Sequence, residues 1–304
     1  MSLRVHVAPR GIRDFLRDAV VDGGGIVTDD VTDADALVYT AANDVAGLRA
    51  LLQQQPSIRW VQLPWAGIEH YVDILDTRRV WTAGQGVYAD DVAEHALALT
   101  LAGLRDFKRR ATATAWQAPS GRSLRGARVT VFGGGGITAA LLPLLAPFHV
   151  ELTVVRRRAD PMVGVTRTLT LDERLEAVRD ADVVVIALAL TPATRGLVDR
   201  TLLAAMAPYA LLVNVARGGH VDTDALLAAL QQGRIGGAAL DVTDPEPLPP
   251  GHGLWSNERC LITPHCANTP AMAVPVLRQR VRENVRRFVA GEPLLGIVDV
   301  DAGY

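Results

Sequence analysis

The amino-acid sequence predicts an α/β fold with two open parallel-sheet domains and a cleft between them. Short apolar segments typical of buried strands alternate with helical segments through most of the chain, as in parallel sheets covered by helices. The chain has 304 residues, 49% of them hydrophobic, and this length favours two domains, with one large domain as the alternative.

The beginning of the chain predicts a small unit of alternating strands and helices. Runs of apolar residues indicate strands over Arg4–Ala8, Ala36–Tyr39 and 59–63. Helices are predicted over 12–19 and Val45–Gln54, where apolar residues recur at helical spacing. These elements together form an open βα unit.

A long helix is predicted to follow over 90–110. Its sequence, DDVAEHALALTLAGLRDFKRR, begins with Asp90 and Asp91, either of which suits an N-cap. It ends in basic residues, which interact favourably with the carboxyl end of a helix. A helix of this length is suited to connecting two domains.

The segment 127–158, ARVTVFGGGGITAALLPLLAPFHVELTVVRRR, predicts a strand, a glycine turn, a helix and a second strand. This is the order of a nucleotide-binding βαβ unit. The remaining apolar runs predict further strands and a closing helix, over 182–188, 210–214, 238–242, 260–263 and 274–290.

Composition narrows the function classes. The 31 Lys and Arg residues nearly balance the 33 Asp and Glu residues, so no nucleic-acid partner is expected. The sequence shows no signal peptide and no apolar run of the ~18 residues that suggest a membrane span. The two cysteines, Cys260 and Cys266, fit neither a disulfide framework nor a zinc site, so we expect a cytoplasmic protein without a bound metal.

The glycine turn is the candidate dinucleotide site. Glycines at this position let backbone amides approach a pyrophosphate at the helix N-terminus. A fingerprint that starts at Gly133 has Thr138 in its third glycine position, whereas one that starts at Gly134 has Ala139 there. The alternative is a plain flexible turn. The candidate cofactor-binding residues here are Gly133, Gly135, Gly136, Ile137 and Thr138.

The second strand of this unit ends in arginines rather than an acid. An Asp or Glu normally stands there to bind the ribose hydroxyls of NAD, but the sequence has Arg156, Arg157 and Arg158. Guanidinium groups match the geometry of phosphate oxygens, so we predict that NADP(H) is preferred over NAD(H). A solvated surface charge run is the alternative interpretation.

Three segments carry a specific resemblance to a known family. They are VNVARGGHVDTDAL, GGAALDVTDPEPLPPGHGLW and LITPHCAN, and they closely resemble the signature region of the D-2-hydroxyacid dehydrogenases, which include glyoxylate and hydroxypyruvate reductases. The resemblance continues upstream through LTPATRGLVDRTLLAAM and DVAEHALAL, and it becomes diffuse in the first 55 residues. It implies two Rossmann-like domains, and a gapless match of RVTVFGGGGI favours the fingerprint that starts at Gly133.

The resemblance assigns a catalytic set of Arg217, Glu246 and His265, with Asp241 near the nicotinamide. Chemistry supports these residue types, because reduction of a 2-oxo acid needs a cation to hold the carboxylate and polarise the ketone. Histidine suits proton transfer near neutral pH, and a carboxylate bonded to the imidazole orients it. Each residue alone also has a structural interpretation, as a surface charge, a turn residue or a loop histidine.

Further residues follow from the same resemblance. The loop LPWAGIEHYV resembles a glycine-containing loop whose amides receive the substrate carboxylate, here those of Ala66, Gly67 and Ile68. Trp65 and Trp255 are candidate pocket walls, with core packing as the alternative for either. Additional cofactor contacts are Leu188, Pro192, Val215, Asp241 and Asn268. We therefore expect a substrate-binding domain at 1–94 plus 277–304, a dinucleotide-binding domain at 95–276, and a homodimer through the latter.

The sequence thus predicts a reductase that transfers hydride from NAD(P)H to a small 2-oxo acid, giving a D-2-hydroxy acid. One alternative is a nucleotide-sensing, corepressor-like binding protein, although the chain lacks obvious disordered tails. Another is a phosphoglycerate or D-lactate type dehydrogenase. The nearby histidines, His70 and His95, are predicted to be structural or helix-surface residues.

Overall fold

The computed structural model describes residues 2–42 and 44–303, which form two compact units. Unit 1 comprises Met1–Tyr88 with Thr269–Tyr304, and unit 2 comprises Ala89–Asn268. Each unit is a parallel sheet with helices, which confirms the predicted fold class. The domain boundaries suggested by the sequence, 94/95 and 276/277, fall inside two helices, where no change of composition marks a border.

Unit 1 is built on a five-stranded parallel sheet with the order β2-β1-β3-β4-β5. Its elements are β1 (Arg4–Ala8), α1 (Phe15–Asp22), β2 (Ile26–Thr28), β3 (Ala36–Tyr39), α2 (Val45–Gln54), β4 (Trp60–Gln62), β5 (Val80–Thr82) and α10 (Pro270–Ala290). The three predicted strands are present. Strands β2 and β5 were not predicted, because each has only three residues and neither stands in a longer apolar run.

Helix α10 joins the end of the chain to the sheet of unit 1. Every residue of β3 and β4 is buried, as expected for a parallel sheet covered on both faces. Phe288 of α10 stacks on Trp60 of β4 with ring centroids 5.6 Å apart. Gly23, after α1, permits close approach of α10, because a Cβ there would lie 2.5 Å from the carbonyl oxygen of Arg282. The two helices therefore pack with almost no space between their backbones.

Unit 2 is built on a seven-stranded parallel sheet with the order β12-β11-β10-β9-β6-β7-β8. Its elements are α3 (Ala89–Leu104), α4 (Phe107–Ala111), β6 (Arg128–Phe132), α5 (Gly136–Leu145), β7 (Glu151–Val155), β8 (Arg167–Leu169), α6 (Arg174–Arg179), β9 (Val183–Ile186), α7 (Arg200–Ala205), β10 (Leu211–Asn214), α8 (Thr223–Gln231), β11 (Gly237–Leu240), α9 (Gly253–Ser256) and β12 (Cys260–Ile262). Because all strands are parallel, the loops that follow them emerge at one edge, where open α/β sheets bind ligands.

The prediction of one helix over 90–110 is wrong. Helix α3 ends at Leu104, and α4 starts at Phe107 after Asp106, which has a left-handed backbone with φ 53°. Asp is one of the few residues that tolerate this conformation, so the chain turns there without a glycine. Helix α3 begins at Ala89, which places Asp90 and Asp91 in its first turn rather than at the N-cap. None of the helices over 2–42 and 44–303 is long and apolar enough to cross a membrane.

Candidate active site

The glycine turn after β6 has a backbone that only glycine adopts without strain. Gly133 has φ 114°, and a Cβ at this residue would lie 2.3 Å from the carbonyl oxygen of Ala187, which follows β9. The amides of Gly134 and Gly135, at the start of α5, donate no hydrogen bond to another described residue. Two amides at a helix N-terminus are therefore available to an anion.

Thr138 fills the third fingerprint position with a side chain that packs and bonds. The residue is 1% exposed, and its Oγ1 donates to the carbonyl oxygen of Gly133 over 2.7 Å. The hydroxyl group therefore ties the first turn of α5 to the glycine turn, and the helix stays close to β6 without a glycine. This geometry favours the fingerprint that begins at Gly133.

Arg156 borders the glycine turn at the end of β7. A Cβ on Gly134 would lie 3.1 Å from both Cδ and Nε of Arg156, so the arginine side chain runs along the turn. Arg157 is exposed, and Arg158 pairs with Asp160 at 3.2 Å. A guanidinium group, rather than a carboxylate, thus stands where ribose recognition is expected.

The catalytic pair predicted from the sequence is formed in unit 2. Nδ1 of His265, in the loop after β12, lies 2.5 Å from Oε1 of Glu246, in the loop after β11. The two side chains are 52% and 41% exposed, so both are accessible. An imidazole bonded through Nδ1 leaves Nε2 for an external group.

Asp241 holds the loop that carries His265. Its Oδ1 accepts the amide of Cys266 at 2.9 Å and the hydroxyl of Thr263 at 2.6 Å, and its Oδ2 accepts the amide of Ala267 at 3.0 Å. The Asp241 carbonyl oxygen accepts the amide of His265 at 2.7 Å, where the backbone is left-handed with φ 49°. One residue therefore fixes the chain on both sides of His265.

The Asp241 carboxylate is 2% exposed yet charged. Burial by itself raises the pKa of this group, but hydrogen bonds from His95, Thr263 and the two loop amides outweigh burial and lower the pKa to about 2. The charge is thus stabilised by donors rather than by solvent.

His95 is a site residue that the sequence did not single out, since it was predicted to be structural. Its Nε2 lies 3.2 Å from Oδ1 of Asp241 and 3.0 Å from Oγ1 of Thr263. Because the Thr263 hydroxyl donates to Asp241, the Nε2 of His95 must itself be a donor. His95 is the seventh residue of α3 and follows Glu94, but it is far in the sequence from Asp241 and Thr263, so nothing local signalled this contact.

His95, Asp241 and Cys266 also form a group of metal-ligand type, with ligand atoms within 4.8 Å of one another. Here the carboxylate oxygens already accept four protein donors. Burial and the Asp241 charge raise the pKa of the Cys266 thiol, which opposes the thiolate that a metal needs. The group is better described as a hydrogen-bond network.

Arg217 follows β10, in a loop that packs closely against the loop after β11. Its carbonyl oxygen accepts from Nδ2 of Asn214 at 2.9 Å, and its Nη1 donates to the carbonyl oxygen of Ala216 at 2.8 Å. A Cβ on Gly218 would lie 1.8 Å from the carbonyl oxygen of Thr243, so this loop is pressed against the one that carries Glu246. The packing fixes both loops at the same sheet edge.

The other predicted cofactor contacts lie in loops after strands of unit 2. Leu188 and Pro192 follow β9, and the buried Val215 follows β10. Asn268 ends the loop after β12, and its Oδ1 is buried without a hydrogen-bond partner among the described residues. A buried acceptor without a donor is costly, so this oxygen is an unsatisfied polar group of the folded chain.

The predicted substrate loop lies in unit 1, after β4. The amides of Ala66, Gly67 and Ile68 donate to no described residue, and Ile68 is buried. Trp255 lies in α9 of unit 2, where it is 40% exposed. Three adjacent free amides are suited to an anion.

Two parallel-sheet units with a glycine turn and a histidine–carboxylate pair define a two-domain Rossmann-type protein. Residues 95–267 match the model of the "D-isomer specific 2-hydroxyacid dehydrogenase, NAD binding domain". The chain therefore belongs to the D-isomer specific 2-hydroxyacid dehydrogenase family.

Individual relatives agree with this assignment. The chain is 37% identical over 296 residues to an uncharacterized protein in the proB 3′ region of Corynebacterium melassecola, covering 94% of this chain and 95% of that protein. It is 29% identical to glyoxylate/hydroxypyruvate reductase A of Photorhabdus laumondii, over 85% of this chain and 79% of that protein. A solved D-isomer specific 2-hydroxyacid dehydrogenase from Xanthobacter autotrophicus, in complex with NADPH and MES, superimposes with a TM-score of 0.85 at 28% identity, covering 100% of this chain and 99% of that one.

Proposed function

We propose that this protein is an NADP(H)-dependent reductase of small 2-oxo acids, which gives D-2-hydroxy acids. The observation that carries the proposal is the His265–Glu246 pair at the sheet edge that also carries Arg217 and the glycine turn. The similarity to a glyoxylate/hydroxypyruvate reductase supports glyoxylate or hydroxypyruvate as substrate. The structure of the Xanthobacter relative with NADPH supports the cofactor.

The residues of unit 2 have distinct roles in this proposal. Arg217 binds the substrate carboxylate with parallel N–H donors and polarises the ketone. His265 gives a proton to the ketone oxygen as that oxygen gains charge, and Glu246 orients the imidazole and stabilises its protonated form. A bound nicotinamide cofactor supplies the hydride.

Features of unit 2 fit a dinucleotide. A Cβ on Gly135 would meet no atom within 4 Å, so a pyrophosphate has space beside the free amides of Gly134 and Gly135, and Asn268 is a further proposed contact. Arg156 lies beside the turn and is the proposed partner of a 2′-phosphate. The other proposed contacts are Gly136, Ile137, Thr138, Arg157, Leu188, Pro192, Val215 and Asp241.

In unit 1, we propose that the amides of Ala66, Gly67 and Ile68 receive the substrate carboxylate. Their lack of acceptors supports this role. Trp255 is proposed as a pocket wall, since it presents an accessible indole.

The test is an initial-rate assay of the purified protein with glyoxylate, hydroxypyruvate, pyruvate and phenylpyruvate, each with NADPH and NADH. The proposal predicts turnover of a small 2-oxo acid and a higher kcat/KM with NADPH. Binding of NADPH without turnover would favour the nucleotide sensor. Oxidation of phosphoglycerate or D-lactate in preference to all four reductions would favour the other dehydrogenase types.

We further propose a homodimer through unit 2 in a reducing, cytoplasmic compartment. The family resemblance supports the dimer, and the free thiols of Cys260 and Cys266 support the compartment. Light scattering of the purified protein tests the dimer, since a monomer mass at micromolar concentration would contradict it.

A further inference from the structure

Arg13 lies at the ligand-binding edge of unit 1. It belongs to the loop between β1 and α1, at the carboxyl end of a sheet with the order β2-β1-β3-β4-β5. In sheets of this order, the strand order reverses between β1 and β3, and ligands bind outside the carboxyl ends at such a point. The loop after β4, with the free amides of 66–68, emerges at the same edge.

The Arg13 side chain packs directly on that loop. Its guanidinium carbon lies 4.0 Å from the ring centroid of Trp65, and its Nη1 donates to the carbonyl oxygen of Pro64 over 3.2 Å. The Arg13 backbone is left-handed, with φ 56°, which is uncommon for a residue with a side chain. An unfavourable backbone conformation is thus present at the residue that carries this guanidinium group.

The positive charge of Arg13 has no acidic partner among the residues described for this chain. Burial lowers its pKa, and the ionisable groups that act against this effect are the phenols of Tyr88 and Tyr71 rather than carboxylates. Of the five N–H donors of a guanidinium, one is used on Pro64. A partly buried charge without a counter-ion is unfavourable unless a ligand supplies one.

A second uncompensated guanidinium lies close by. Arg280 of α10 donates to the carbonyl oxygens of Ala83 and Gln85 over 3.2 and 3.1 Å, and burial lowers its pKa as well. The charges of Arg13 and Arg280 both act to lower the pKa of Tyr88, against the larger effect of its burial. Two guanidinium groups without an acidic partner among the described residues therefore lie near Tyr88, which favours a ligand with more negative charge than one carboxylate.

We propose that Arg13 is a specificity-determining residue, which binds an anionic or hydroxyl group on the third carbon of the substrate. This role of Arg13 rests on the proposed function and adds the substrate class to it. The preferred substrates are 2-oxo acids whose third carbon carries a hydroxyl or a carboxylate group, such as hydroxypyruvate or oxaloacetate. Glyoxylate, which has no third carbon, gains nothing from Arg13.

The experiment compares substrates matched in size, with and without the polar group on the third carbon. Hydroxypyruvate is paired with 2-oxobutyrate, and oxaloacetate with 4-methyl-2-oxopentanoate. In Arg13→Met, kcat/KM for hydroxypyruvate and oxaloacetate should fall by about tenfold or more relative to their partners, the usual effect of losing a charged hydrogen bond. Arg13→Lys should recover part of the loss because it retains the charge.

The matched control is Arg10→Met in the same loop, since the exposed Arg10 is paired with Asp29. Arg10→Met should leave kcat/KM unchanged for all four substrates. An equal loss on all four substrates in Arg13→Met would show that Arg13 only anchors the Trp65 loop, and no loss would also overturn the proposal. If Arg13→Met does not fold, Arg13→Gln replaces it.

A binding measurement separates this inference from the proposed function. If the wild-type protein reduces neither glyoxylate nor any of the four acids, the proposed function fails, but Arg13 is still tested by calorimetry with malonate and acetate. The inference predicts that Arg13→Met weakens malonate binding about tenfold and leaves acetate binding unchanged. Equal effects on both acids, or no malonate binding to the wild type, would overturn it.

Discussion

Oε1 of Glu246 lies 2.5 Å from Nδ1 of His265, although 19 residues separate them in the sequence. They meet because β11 and β12 are parallel neighbours, so that the loops after them emerge side by side. The pair is half exposed, whereas Asp241, which holds the same loop, is buried. The charge of Asp241 is thus shielded from solvent, while His265, the proposed proton donor, is accessible.

The Glu246 carboxylate is predicted to act through its charge. Glu246→Gln keeps the size of the side chain but no longer stabilises a protonated imidazole. We expect kcat for glyoxylate or hydroxypyruvate to fall by about tenfold to a hundredfold, with NADPH affinity unchanged. The control is Glu258→Gln, because Glu258 is an exposed residue of the same unit, and this variant should keep the wild-type kcat. Equal kcat in Glu246→Gln and the wild type would remove Glu246 from the mechanism.

Arg156 is predicted to select the cofactor. Arg156→Asp removes the partner of a 2′-phosphate and supplies an acceptor for ribose hydroxyls, so kcat/KM with NADPH should fall by about tenfold to a hundredfold while the value with NADH rises. Arg158→Asp is the matched control, because Arg158 is exposed and already paired with Asp160. If both variants keep the NADPH preference, the phosphate is bound elsewhere.

Thr138 is predicted to stabilise the glycine turn. Thr138→Val keeps the shape of the buried side chain but leaves the carbonyl oxygen of Gly133 without its 2.7 Å donor. The free energy of unfolding in urea should decrease by about 1 kcal/mol. Thr112→Val, in which an exposed hydroxyl is lost, should change it far less. Matching values for the two variants would contradict the role given to the Thr138 hydroxyl.

The Asp241 carboxylate is predicted to make stability depend on pH in the acid range. Its pKa is lowered to about 2, below the ~3.9 of an unfolded chain, so the folded state binds the proton less readily. The stabilisation, about 2 kcal/mol, is full above pH ~4 and is lost as the pH falls towards 2.

Urea unfolding of the wild type and Asp241→Asn between pH 7 and about pH 2.5 tests this dependence. The difference in free energy between the two proteins should be largest at neutral pH and should shrink below pH ~4. A difference that stays constant over this range would show that the hydrogen bonds, and not the charge, are responsible.

Local patterns predicted most of unit 2, but not every helix end. Strands β6, β9 and β10 are rich in Val, Leu, Ile and Phe, so their sequence alone indicates them. The break at Asp106 was missed because the flanking residues all favour a helix and only the backbone angle marks the turn. Strand β8 has three residues, and pairing with β7 rather than propensity defines it.

The candidate site was predictable only where its residues stand in a recognisable motif. Glu246 and His265 lie in segments that resemble a known family, and the structure places them in contact. His95 reaches Thr263 across 168 residues, which no local pattern reveals. The buried Oδ1 of Asn268 and the uncompensated charge of Arg13 are likewise properties of the folded chain.

The most direct test of the central claim is NADPH consumption by the wild-type protein and by His265→Gln with glyoxylate and hydroxypyruvate, together with NADPH affinity measured by fluorescence titration. We predict that the wild type reduces at least one of these acids and that His265→Gln loses about a hundredfold or more of kcat, the usual contribution of a general acid, while its NADPH affinity is retained. Turnover by His265→Gln at the wild-type rate, or no turnover by either protein, would contradict the assignment of His265 as the proton donor of a 2-oxo acid reductase.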